Sequence, residues 1–171
     1  MIVQTLLIIA VFIFQTGFPA LLKFGGVFPD LVLAAIIVIS FANPARKVVV
    51  PAIAGGLLVD IFSGMTLGIS VILFLAIVFI INAAKKFLFA NFNFSAILVA
   101  VFGITIFSDI FYFLSARILG WLGFKTFFVE TKYLFFSVLP KEILYNLIAA
   151  AALYLLWILA KFLTGYRKSW K

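Results

Sequence analysis

A chain of 171 residues would ordinarily be read as one soluble domain, but 67% apolar and only 11% charged residues exclude that reading. Together with a mean hydropathy of +1.37, the composition is that of an integral membrane protein. Cysteine and histidine are absent, which excludes disulfides, thiolate metal sites and imidazole chemistry. The formal charge of +8 could suggest nucleic acid, yet the cations sit in short segments between apolar runs, where membrane orientation accounts for them.

Lipid offers the backbone no hydrogen-bond partner, so a span must be a helix or part of a closed barrel; continuous rather than alternating apolar runs select helices. Six are expected in a single transmembrane domain over 1–171, at about 2–22, 28–43, 48–62, 67–82, 95–115 and 140–160. The first is about 31 Å long, enough for a hydrocarbon core of about 30 Å, and it lacks a basic leading region, so it reads as a span rather than a cleaved signal. KFGGVFPD then makes a Gly and Pro turn, with Pro29 suited to the first turn of the second helix and Asp30 near its positive end. That helix stops at Pro44 and is short, so it draws in Phe28 to Asp30 or thins the bilayer locally.

One helix over 48–82 would be about 50 Å long, which demands a hairpin at Ser63 to Gly68. Ala52, Gly56, Asp60, Gly64 and Gly68 recur at every fourth position across this region. Ala52, Gly56 and Asp60 therefore form one slanting stripe, whose small residues admit a close helix and whose acid faces that neighbour. Gly64 and Gly68 belong to the turn. Further on, FLFANFNFS and the connection over 117–139 mix aromatic and charged residues, as segments lying in the interface do, and the tail YRKSWK reads as an anionic-lipid anchor.

Six spans place both termini on one face. Arg46, Lys47, Lys85, Lys86, Lys161, Arg167, Lys168 and Lys171 fall on that face, against Lys23, Arg117, Lys125 and Lys132 on the other, with Lys141 inside the sixth span. The eight-to-four split makes the termini cytoplasmic. At about 1.5 Å per residue, Gln15, Asp60 and Asp109 then lie about 20 Å from the cytoplasmic side, and Glu142 and Asn146 also fall in the outer half. These five residues are expected to meet in one polar cluster. Its acids require a cation, a proton or water, with Lys141 nearest by depth and Arg117 and Lys23 able to snorkel. The cluster reads either as a partner-binding or ligand-binding pocket or as helix packing and capping near the outer boundary. No phosphate loop, zinc-protease motif or nucleophile elbow occurs, so no enzyme, cofactor or metal is expected.

PDLVLAAIIVIS opening the second span, GLLVDIFSGMTLG around the hairpin and the final KEILYNLIAAAALYLLWIL carry a likeness to a known family. With its size, six apolar runs and cytoplasmic termini, the chain resembles the bacterial rod shape-determining MreD family, though its second span lacks the tyrosine often found there. The resemblance implies a non-enzymatic inner-membrane subunit of the cell-elongation machinery. Such a subunit binds the single-pass scaffold MreC, sits with MreB filaments, RodA and a penicillin-binding transpeptidase, and helps direct lateral peptidoglycan synthesis. The implied fold is similar to the six-helix substrate-binding subunits of energy-coupling-factor vitamin transporters. That likeness also supplies an alternative function, vitamin binding, against which the bulky IIAVFIF of the first span argues.

Overall fold

The computed structural model describes residues 2–18, 26–64, 66–87, 94–123 and 138–163. It is all-α, with six helices among the described residues: α1 (Ile2–Gly17), α2 (Leu31–Ala42), α3 (Ala45–Ser63), α4 (Ile69–Phe87), α5 (Phe94–Trp121) and α6 (Leu139–Leu163). Three contain stretches long and apolar enough to cross a membrane, Ile69–Lys86, Phe94–Trp121 and Leu139–Ala160, while α1 and α2 are apolar but shorter.

The bundle is built around α2. Its sequence LVLAAIIVISFA has no polar face, the mark of a helix enclosed by protein. Every residue from Val32 to Phe41 is buried, and α2 touches each of the other five helices. Twelve residues span only about 18 Å, too short to reach both surfaces of a hydrocarbon core of about 30 Å. The open amides and carbonyls at its two ends must therefore find partners within the protein.

A tight hairpin joins α3 and α4. Gly64 closes α3 with φ 67 and Gly68 opens α4 with φ 100, left-handed conformations that glycine adopts without a Cβ clash. Two adjacent glycines in α3 then meet two different neighbours. A Cβ on Gly56 would stand 2.6 Å from both Cα and N of Val71, so the hairpin helices touch backbone to backbone. A Cβ on Gly55 would stand 2.9 Å from Ile8 Cγ2 and 3.2 Å from Val32 Cγ1, which brings α1 and α2 against the other side. In lipid, where water exclusion no longer drives helices together, such close packing supplies the attraction.

Several boundaries differ from those expected. Asp30 is the N-cap of α2, its side chain accepting from Leu33 N at 2.8 Å, so Pro29 precedes the helix rather than entering its first turn. The cause is local: proline disfavours helical geometry at Phe28, and a short carboxylate next to an apolar run caps well. The fifth helix runs past the expected end at 115, placing Arg117 on α5 rather than in the connection. Nothing in SARIL breaks the helix, which ends only before Gly123 at φ 88. Likewise α3 begins at Ala45 and α4 continues through Lys85 and Lys86, so the basic pairs belong to helical turns. Lys23, most of FLFANFNFS, the aromatic stretch 124–137 and the tail from 164 lie outside the described residues.

Candidate partner-binding site

At the N-terminal end of α2, three helices supply polar side chains. Gln15 Oε1, from the last turn of α1, accepts from Leu31 N at 2.8 Å and Val32 N at 3.2 Å. Asp30 takes the next amide, that of Leu33, while its own N–H donates to Asn146 Oδ1 of α6 at 2.7 Å. The buried Asn146 passes the chain on, donating through Nδ2 to Thr105 Oγ1 of α5 at 3.2 Å. Ser108 Oγ donates to the Thr105 carbonyl at 2.8 Å. Three orphan donors of one helix are thus satisfied by side chains, those of Leu31 and Val32 by the single Gln15 of α1 and that of Leu33 by Asp30.

Asp60 works differently. Its carboxylate is 1% exposed and turns to its own hairpin partner, accepting from Gly68 N at 2.6 Å and Ser70 N at 3.0 Å. Gly68 is the N-cap of α4, since its carbonyl accepts from Ile72 N at 2.9 Å, so Asp60 closes the positive end of that helix from across the turn. Ser70 Oγ in turn shares a hydrogen bond with Tyr112 Oη of α5 at 2.9 Å. Among the described residues, two backbone amides of the hairpin meet the Asp60 carboxylate.

The remaining two acids are not used in this way. Asp109 lies on α5 one turn beyond Thr105, and its Oδ2 is buried without a hydrogen-bond partner among the described residues. Glu142, in the first turn of α6, is half-buried. Asp109 and Glu142 lie near each other and near Asp30, and Tyr112 stands within electrostatic reach of Asp30, Asp60 and Glu142. Hydrogen bonds bring Gln15 and Asn146 to the start of α2, Asp109 and Glu142 lie near Asp30, and Asp60 is engaged at the hairpin turn, linked through Ser70 to Tyr112 of α5. Ala52 is fully buried in α3, and Gly56, Gly64 and Gly68 shape the hairpin.

The opposite end of α2 has a cap of the other sign. Lys85 Nζ of α4 donates to the carbonyls of Ser40 at 2.6 Å and Asn43 at 2.7 Å, and Gln4 Nε2 of α1 donates to Asn43 Oδ1 at 2.7 Å. A cation at a helix C-terminus complements both the orphan carbonyls and the negative end of the dipole.

Sequence reasoning passed over Asp30, Thr105, Ser70, Tyr112 and Lys85 as members of these networks. For Asp30 a signal existed, an Asp next to an apolar run and three residues ahead of an amide to cap. For the others there was none, because their partners are amides, carbonyls and hydroxyls of distant segments.

The model of the family described as rod shape-determining protein MreD matches residues 1–164, nearly the whole chain. No curated protein and no solved structure matches it. With apolar helices long enough to cross a bilayer, the chain is a membrane protein, and the match assigns it to a shape-determining rather than an enzymatic family. On this extent of agreement the chain belongs to the MreD family of rod shape-determining proteins.

Proposed function

We propose that the chain is a non-enzymatic subunit of the cell-elongation machinery in the bacterial inner membrane. It forms one transmembrane domain through which the chain passes six times, the short α2 enclosed by the other five helices, with both termini in the cytoplasm, and binds an MreC-like single-pass scaffold. Through that scaffold it works with MreB filaments, RodA and a penicillin-binding transpeptidase to direct lateral peptidoglycan synthesis. The observation that carries this reading is the family match over residues 1–164. The use of Asp60 supports it, since a carboxylate held by two backbone amides of its own hairpin serves as a structural strut.

Within this reading the polar residues divide by task. Gln15, Asp60 and Asn146 hold the bundle, whereas Asp109, whose Oδ2 has no hydrogen-bond partner among the described residues, and the half-buried Glu142 meet the partner. The test is depletion of the chain in a rod-shaped bacterium that encodes it. Cells are expected to widen and round, and to return to rods when the wild-type chain is resupplied. Cells that keep a constant width through depletion contradict the proposal.

A further inference from the structure

The two ends of the α3–α4 hairpin differ in charge. All four acids among the described residues lie toward one end: Asp30 at the start of α2, Asp60 beside the turn, and Asp109 and Glu142 near Asp30. At the other end stand Arg46 and Lys47 in the first turn of α3 and Lys85 and Lys86 in the last turn of α4. About 21 Å of helix separates Arg46 from Asp60. Lys85 is occupied with the Ser40 and Asn43 carbonyls, while Arg46, Lys47 and Lys86 are exposed.

These three cations have no acid to balance them at their end of the described bundle. Arg46 and Lys47 also stand at the positive end of a helix dipole, where acids are favoured, and Pro44 at the N-cap gives no side-chain cap. Each helix continues the charged rim into an outward apolar strip. On α3, Val50 follows Arg46 by four residues and is 41% exposed; on α4, Phe79, seven residues before Lys86, is 58% exposed. An ion that satisfied only the rim would leave these strips bare.

From this arrangement we propose that the Arg46–Lys47–Lys86 rim is a docking surface for an anionic phospholipid. The phosphate sits among the three cations and the acyl chains lie along Val50 and Phe79. Lys85 is the fixed post of this surface, since its two carbonyl bonds hold the end of α2 beside Pro44. The inference rests on the reading that the hairpin crosses a bilayer, but not on which face is cytoplasmic.

The experiment is native mass spectrometry of the full chain in detergent, titrated with phosphatidylglycerol or phosphatidylcholine of the same acyl chains. The wild type is expected to retain phosphatidylglycerol preferentially. The triple variant Arg46→Gln, Lys47→Gln, Lys86→Gln should lose at least about tenfold of that retention, given about fivefold per cation near an anionic surface. The double variant Arg117→Gln, Lys141→Gln should retain the lipid as the wild type does. Equal retention of both lipids by the wild type, or wild-type retention by the triple variant, overturns the proposal. So does binding of a polyglutamate probe with no lipid preference, which would assign the surface to an acidic protein segment. Alkaline extraction of proteoliposomes separates the two failures: release of the chain refutes the bilayer reading, whereas a chain that stays embedded without lipid preference refutes this surface alone.

Discussion

Asp60 and Ser70 are joined across the α3–α4 turn, the buried carboxylate accepting the Ser70 amide at 3.0 Å while its second oxygen accepts the Gly68 amide at 2.6 Å. One side chain thereby closes the turn and caps a helix. Asp60→Leu removes both acceptors and leaves two amides unsatisfied in a buried site, at a cost of about 2 to 4 kcal/mol. Asp60→Asn keeps one acceptor oxygen and should lose about half as much. Thermal unfolding in detergent, followed by circular dichroism, should rank the chains wild type, Asn, Leu; an Asp60→Leu chain as stable as wild type would remove the strut from the account.

Gly56 and Gly103 are both helical glycines and should respond oppositely to alanine. At Gly56 a Cβ would stand 2.6 Å from the Val71 backbone, which cannot yield as a side chain does. Gly56→Ala should cost about 1 to 3 kcal/mol by splaying the hairpin. Nothing lies within 4 Å of a Cβ at Gly103, so Gly103→Ala should be neutral or stabilising by up to about 1 kcal/mol through helix propensity. Equal melting shifts for the two variants would show that the backbone contact has no energetic role.

Lys85 and Lys86 are neighbours in sequence with separate duties. Lys85→Met abandons two carbonyls at the end of α2 and should destabilise by about 2 to 3 kcal/mol, whereas Lys86→Met, at an exposed position, should shift stability by less than about 0.5 kcal/mol. Denaturant titration of the two variants side by side checks this. Comparable losses would contradict the assignment.

Gln15 and Asn146 act on adjacent amides at the start of α2, those of Leu31 and Asp30. Because both fix the same turn, their substitutions should be coupled rather than additive. A cycle of Gln15→Leu, Asn146→Leu and the double variant should give an interaction of about 0.5 to 2 kcal/mol. Strict additivity would mean that the two caps hold independent pieces of structure.

The parts of this architecture that follow from local composition were legible in the chain. Helices are dictated by continuous apolar runs, and the hairpin by the excess length of 48–82 and the glycines at Gly64 and Gly68. The small stripe of Ala52 and Gly56 marked a close helix contact, and α4 meets Gly56 there. What that contact does with Asp60 was not legible, because every helix begins with free amides and the spacing of residues does not say which helix start lies within reach. The same holds for Lys85. By charge it reads as an orientation signal at a span boundary, and only the parallel packing of α4 beside α2, which sets their C-terminal ends together, brings its ammonium to the Ser40 and Asn43 carbonyls. Asp30 lay within reach of sequence reasoning, but Pro29 drew the expected helix start to about 28, ahead of the Leu31 where the helix begins.

Co-purification tests the central claim that this bundle presents Asp109 and Glu142 to a scaffold partner. The full chain, tagged and expressed with an MreC-like protein from the same organism, should retain that protein through detergent extraction. Asp109→Asn with Glu142→Gln should keep the melting temperature of the wild type and lose most of the bound partner. Retention of the partner at wild-type stoichiometry by this folded double variant would contradict the account.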